Sequence, residues 1–338
     1  MKRRTLARII FVAVLILIII YTFWGSWQDI LERVVETAPR ILILILAASA
    51  AYEVIEGWII YTMGRLYNPD LRFYQAVYCA FYASFYRLST LGIGSGFAAI
   101  AYLGRNGLSY SEATGMYMFI YTLHKISIAG FSGIFFLLNW SEMVSNYHRY
   151  GVYLILAYIL TAIIAIFFAM LIVFPPFHKV ILRLLRLVNF RNRLDNIIER
   201  VEEELKIMEE TAPHLLKNVR VIVTTVLRDF LKLLCWYSIP FMVLLSTGGV
   251  TLKMSYGVTS LAVTTAAVIP TPAGIGSSEL IMSGLYSLLV GVENATAATL
   301  LYRTATFIFP FVVGAVLILI AHLFGRRKKK VVMEGGEA

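Results

Sequence analysis

Long stretches of this chain run without a single charged residue, among them Gly151 to Phe177, Leu233 to Leu252, Met254 to Ser278 and Thr304 to Ala321. A helix needs about 20 apolar residues to cross the hydrocarbon core of a bilayer, so such runs read as membrane spans. They are continuously apolar rather than alternating, which argues against a β-barrel. With 59% hydrophobic and 15% charged residues, an ordinary soluble domain is excluded. The expectation is an all-α polytopic membrane protein.

Basic residues set the topology. Lys2-Arg3-Arg4, the Lys179 to Arg193 region and Arg326-Arg327-Lys328-Lys329-Lys330 carry much of the net charge of +10. All three flank apolar runs, where cytoplasmic retention and anionic headgroups account for them without nucleic acid. Both termini are therefore expected in the cytoplasm of a cell-membrane protein. The first run, Ile9 to Trp24, ends in Tyr21, Phe23, Trp24 and Trp27 rather than the small residues of a cleavage site, so an uncleaved anchor is expected. Cys79 and Cys235 both fall in apolar segments and support neither a disulfide framework nor a metal site.

With the termini and the central charged segment fixed inside, the remaining runs must pair. Two regions then begin and end on the same side, Phe73 to Gly104 and Met254 to Val290. The first is broken at Gly92, Gly94 and Gly96, the second at Pro270, Pro272, Gly274 and Gly276. The count predicts six full spans plus two re-entrant or broken-helix hairpins that enter from opposite faces; hairpins that each cross fully twice give the same parity, though the short half-segments favour re-entry. The tips repeat one another: Ser89-Thr-Leu-Gly-Ile-Gly-Ser95 matches Thr271-Pro-Ala-Gly-Ile-Gly-Ser277, and Gly107 to Ala113 resembles Gly291 to Ala297. Similar units inserted from opposite sides make an inverted-topology repeat, the architecture of many secondary transporters. Expected segments are an anchor and outer loop (1–39), a first half (40–177), a linker (178–217), a second half (218–325) and a basic tail (326–338). In the linker, Phe190, Leu194, Ile197, Ile198, Val201, Leu205 and Met208 share one face of an amphipathic helix that Pro213 closes.

Non-helical backbone at membrane depth survives only where protein buries it or a watery cavity receives it. The hairpin residues Gly92, Gly94, Ser95, Gly274, Gly276, Ser277 and Ser278 therefore point to a central polar site. Helix N-termini beyond them suit an anion such as phosphate, although neither copy matches a P-loop. Ionisable residues within spans are functional candidates by default. Those are Glu279 and Arg303, expected to pair or else to set Arg303 against a lipid phosphate while Glu279 takes a proton or cation, then Glu53 and Glu56, His124 and Lys125, and Arg87. Arg228, Asp229 and Lys232 sit in the first third of their run and are expected to snorkel to the interface. No catalytic triad, metalloprotease or diphosphate motif is present, so no enzyme activity, metal or cofactor is expected.

At Ile269-Pro-Thr-Pro-Ala-Gly-Ile-Gly-Ser-Ser-Glu279, followed by Gly291, Arg303 and Gly314, the chain resembles the lysylphosphatidylglycerol synthetase/flippase transmembrane-domain family. Ala273 stands where that family's motif has the first glycine of a pair. Leu91 stands at the proline of the first copy. Family members include membrane domains thought to flip aminoacylated phospholipids. The resemblance implies a stand-alone, flippase-like transporter of a lipid with a charged or glycosylated headgroup, the chain ending at Ala338 without a synthetase domain. A non-transporting lipid-binding scaffold and a small-solute carrier remain the alternatives. Membrane lipids are the expected partners; a second copy of the chain and a separate lipid-modifying enzyme are left open.

Overall fold

The computed structural model describes residues 37–147, 151–189, 194–246, 249–269 and 271–334, with Glu32 and Val35. The expected anchor run Ile9 to Trp24, Phe190 and Pro270 lie outside the described residues, within which no strand occurs. Three described stretches are long and apolar enough to cross a membrane: Pro39–Gly64, Tyr110–Leu138 and Ser277–Leu323, the last divided by Gly291. A fourth pairs Tyr158–Val173 with Pro176–Val188 across a bend of 116°.

The first half begins with α1 (Pro39–Gly64), whose Pro39 supplies the fixed φ that suits a first helical turn. Next come α2 (Phe73–Ser89) and α3 (Gly94–Arg105), the two arms of the first hairpin. Helix α4 (Tyr110–Leu138) opens with a reciprocal cap in which Ser109 accepts from the Glu112 N–H and Glu112 accepts from the Ser109 N–H. Short α5 (Trp140–Asn146) leads toward α6 (Gly151–Val173), and α7 (Pro176–Val188) follows the sharp bend.

The linker forms α8 (Asp195–Leu216), which buries Ile198, Leu205 and Met208 as the periodicity predicts. Ile197 is exposed instead, and Pro213 lies inside the helix, which runs on to Leu216. The run expected from Val219 to Leu245 is not one helix. It divides at Ser238 into α9 (Val219–Tyr237) and α10 (Ile239–Val243), because Pro240 cannot continue the hydrogen-bond ladder. The second hairpin is α11 (Leu252–Ala266) and α12 (Ser277–Val290), followed by α13 (Val292–Arg303). A π-helical turn over Thr304–Ile308 joins α13 to α14 (Phe309–Glu334).

Packing divides along the same line. One apolar core joins the C-terminal half of α1 to α2, α3 and α4, with Met208 and Leu215 of α8. The other joins Ile45 near the start of α1 to residues of α10 through α13. Helix α2 is wedged between α1 and α14. A Cβ at Gly314 would strike the Phe81 carbonyl oxygen, so only glycine allows that approach.

Seven described residues have positive φ, and six of them fall into pairs at equivalent positions of the two similar segments. Leu91 and Ala273 have φ of 53° and 54°, Gly92 and Gly274 of 98° and 70°, Gly107 and Gly291 of 96° and 80°. Leu91 and Ala273 are the only non-glycine residues among them, and L-residues adopt this region at a cost. Backbone conformation thus matches at these three pairs but not at the identical Gly94 and Gly276, of which only Gly276 has positive φ. Gly276, at 84°, is the unpaired seventh.

Candidate functional site

The two loops reach each other. A side chain at Gly92 would come within 3.3 Å of the Ala273 Cα, so the hairpin tips abut directly. They are built differently. In the first, the Gly92 N–H returns to the Arg87 carbonyl at 2.7 Å and the Leu91 N–H to the Leu88 carbonyl at 3.2 Å. That is a Schellman cap, with Leu91 in the position that favours glycine. In the second, the Gly274 N–H closes on the Thr271 carbonyl at 3.1 Å, placing Ala273 at a turn position that also favours glycine.

Beside the junction lies a chamber of about 320 Å³ lined by both tips, through Gly92, Ser95 and Ala273. Helical spacing puts its charges there. Glu53 and Glu56 project from α1, Ser84 and Arg87 from α2, His124 and Lys125 from α4, and Lys232 from α9. Residues three apart share a helix face, so Glu53 points the same way as Glu56, and Ser84 the same way as Arg87.

Within the wall the charges form two groups. Lys232 Nζ lies 2.5 Å from Glu56 Oε2 and 2.6 Å from Asp229 Oδ1, and Asp229 in turn meets His124 Nδ1 at 3.2 Å and the Ser127 hydroxyl at 3.3 Å. Asp229 and Lys232 are 0% and 1% exposed. Their burial corrects the expectation that they snorkel to the interface: the run bearing them packs against α1 and α4, where Glu56 and His124 supply polar partners. Arg228 does pack outward, over the Trp58 ring at 4.3 Å and donating to Thr62.

The second group is looser. Glu53, 1% exposed, accepts from the Ser84 hydroxyl at 2.8 Å, while Arg87 Nη2 stands 3.9 Å away. Arg87 also donates to the Thr306 carbonyl at 3.3 Å and faces the Trp236 and Phe307 rings. That carbonyl belongs to the π turn, whose wider spacing frees backbone oxygens from the i−4 ladder. Ser49 takes a neighbouring one, the Ala305 carbonyl. Lys125 lies over the Tyr121 ring at 5.0 Å and has no carboxylate partner among the described residues.

A second cavity of about 360 Å³ adjoins the chamber, and Gly92, Ser95, Tyr117 and Tyr121 line both. Its wall is largely apolar, with Ile93, Phe97, Phe168, Leu171 and Met208, and Glu204 of α8 its one charged lining residue.

Glu279 and Arg303 form the expected pair, Arg303 Nε donating to Glu279 Oε1 at 2.7 Å, but outside the chamber. The other oxygen of Glu279 accepts from the Gly276 N–H at 2.9 Å, capping α12. Gly274, Gly276, Ser277 and Ser278 also lie outside the chamber lining, and the Ser277 hydroxyl is engaged with Thr271 at 2.7 Å. Gly94 opens α3, its N–H donating to Thr90. Of the residues singled out by sequence, the chamber gathers Glu53, Glu56, Arg87, Gly92, Ser95, His124 and Lys125. Sequence reasoning missed Tyr52, Ser84, Tyr117, Asp229 and Lys232. One signal was available for the last two. They form an i, i+3 acid–base pair, the spacing at which opposite charges meet on one helix face.

Similarity to known proteins supports the membrane assignment. A family model described as the lysylphosphatidylglycerol synthase TM region matches residues 6–314. A UPF0104 membrane protein of Pyrococcus horikoshii is 32% identical over 128 residues, covering 37% of this chain and 38% of that protein. The match thus spans well under half the length of that relative. The breadth of the family match, together with apolar helices of spanning length, makes this an integral membrane protein that belongs to the lysylphosphatidylglycerol synthase transmembrane-region family.

Proposed function

We propose that the chain binds a phospholipid and moves it between leaflets, with the headgroup in the charged chamber and an acyl chain in the adjoining apolar cavity. One observation carries this reading: the two cavities share a wall at Gly92, Ser95, Tyr117 and Tyr121, so a polar and an apolar compartment meet at the hairpin junction. A small polar solute has no use for the second compartment. Lys125 and Arg87 suit a phosphate, while Glu56 suits an amine or hydroxyl group of the headgroup. The family's name points to the same class, a glycerophospholipid carrying a charged headgroup.

The topology that goes with this reading has both termini in the cytoplasm, six spans and two half-depth hairpins from opposite faces. Helices α2, α3, α11 and α12, of 17, 12, 15 and 14 residues, are each shorter than the about 20 residues a perpendicular crossing takes. Labelling of single cysteines at positions 105 and 292 from the same side contradicts it.

The closed Glu279–Arg303 pair favours a second reading, a lipid-binding scaffold that does not transport. Reconstitution with fluorescent phospholipids separates the two. Transport predicts label exchange between leaflets that Lys125→Glu lowers by about tenfold or more, equivalent to roughly 1.4 kcal/mol of barrier. Binding without exchange in the unaltered protein supports the scaffold, and absence of both overturns the lipid reading.

A further inference from the structure

Of the chamber's Arg87, Lys125 and Lys232, only Lys125 has no carboxylate partner among the described residues, so an anion that also recruits Arg87 draws that cation away from a carboxylate. Glu53 and Glu56 line the chamber with Arg87, Lys125 and Lys232, and Asp229 stands behind that wall against Lys232 and His124. Among the carboxylates, only Glu53 lacks a tight ion pair. Lys232 grips both Glu56 and Asp229, whereas Arg87 stands 3.9 Å from Glu53 and divides itself between that carboxylate, the Thr306 carbonyl and two aromatic rings. Arg87 is also the more exposed partner, at 28% of its side chain against 1% for Glu53.

We infer that Glu53 is a proton-binding site linked to phosphate binding at Arg87, so that a lipid phosphate and a proton enter the chamber together. A phosphate that recruits Arg87 removes the only cation near Glu53, among the described residues, apart from Lys232, which two other carboxylates already hold. A buried carboxylate left without its cation is costly, and protonation relieves that cost. The proton is taken from the bulk solution, whose loss of it a pH indicator reads, and Glu53 meets it at the chamber wall. Protonated Glu53 keeps the Ser84 contact and needs no counter-charge.

Every other titratable group facing this point fits the role less well. Glu56 shares α1 with Glu53 and is locked to Lys232. On α4, His124 is tied to Asp229, and protonating it adds a cation beside Lys232 and Lys125. Asp229 on α9 is fully buried with three polar partners. Tyr52 stacks on Trp236 at 3.5 Å, and Tyr117 lines the chamber as a neutral phenol. Linkage is reciprocal, so phosphate binding must draw in a proton and a rise in pH must weaken phosphate binding.

The inference rests on the phospholipid reading, and the test keeps the two apart. Dihexanoyl phosphatidylglycerol is titrated into the purified full chain in weakly buffered detergent with a pH indicator, and binding is followed in parallel by calorimetry. The expected result is uptake approaching about one proton per bound lipid, with affinity falling by about tenfold per pH unit on the alkaline side. Glu53→Gln should bind the lipid with no uptake and a flat pH profile; Glu53→Asp and His124→Gln should retain uptake. Lipid that fails to bind the unaltered protein sinks the phospholipid reading. Binding without uptake, uptake that survives Glu53→Gln, or uptake lost only in His124→Gln overturns the proton site. If Glu53→Gln is not monodisperse, the stoichiometry of the unaltered protein and of Glu53→Asp decides, and values near zero in both are fatal.

Discussion

The two glycine-rich tips have almost the same sequence and abut one another, yet they face different tasks. The first lies open to the chamber: Gly92 and Ser95 line it, and Arg87, one turn earlier, points into it. The second is tied down, with Glu279 clamping the Gly276 N–H on one side and Arg303 on the other, and only Ala273 reaches the chamber. Matched backbone conformation at Leu91 and Ala273 fits one plan for both loops. What separates them is the position of one acidic residue. Glu279 sits at the first turn of α12, where it satisfies a loop N–H group, and the equivalent place after the first tip holds Phe97. The first tip faces the chamber, and the second is held to its own helix and to α13.

The contrast breaks most sharply at the charges behind the open tip. Lys232→Met leaves the buried Asp229 and the half-buried Glu56 without their shared cation, and thermal unfolding in detergent should show a loss of about 3–5 kcal/mol. Adding Glu56→Gln should recover part of that loss, since one of the two stranded charges is gone. A loss under about 1 kcal/mol, the range of exposed pairs, would mean that the buried network is not formed.

At the closed tip the expected effect is smaller. Glu279→Gln keeps one acceptor oxygen and loses the other of the two charge-assisted hydrogen bonds, for a loss of about 1.5–3 kcal/mol. Lipid exchange should persist, because the pair lies outside the chamber. Abolished exchange with unchanged stability would instead place Glu279 in direct contact with lipid. Gly314→Leu, which forces α14 away from the Phe81 carbonyl, should cost about 1–3 kcal/mol. Gly284→Leu has nothing within 4 Å of its new Cβ and should be close to neutral. Equal effects of the two would deny the tight α2–α14 contact.

The smallest effect concerns the shared plan itself. Leu91→Gly and Ala273→Gly each relieve a left-handed L-residue and should each stabilise by up to about 1 kcal/mol, less the added chain entropy of glycine. Stabilisation at one site alone would show that the two loops do not carry the same strain.

Much of this could be read from the sequence, and the parts that could not share a cause. Apolar runs, the breaks at the two tips, the amphipathic linker helix and the Glu279–Arg303 pair all follow from local composition and a repeated motif. Hydropathy reports how deep a residue lies along its own helix, but not toward which neighbour it points. Lys232 and Glu56 are 176 positions apart, and nothing local to either announces the other. Asp229 and Lys232 therefore looked like interface residues, and Glu53 and Glu56 like a pair, when in the fold each of those two glutamates answers to a different cation. The π turn at Thr304–Ile308 was equally hidden, because no residue type marks it; its role emerges only from Ser49 and Arg87 reaching its carbonyls.

The central claim is that one lipid occupies the chamber and the apolar cavity together, crossing the wall they share. Ser95→Trp fills that junction, while Leu280→Trp adds the same indole on the exposed flank of the second hairpin, where Leu280 is 74% exposed. Leaflet exchange of fluorescent phospholipid in proteoliposomes should fall by about tenfold or more in Ser95→Trp and stay at the unaltered rate in Leu280→Trp, with both proteins equally stable. Undiminished exchange in Ser95→Trp would contradict the account.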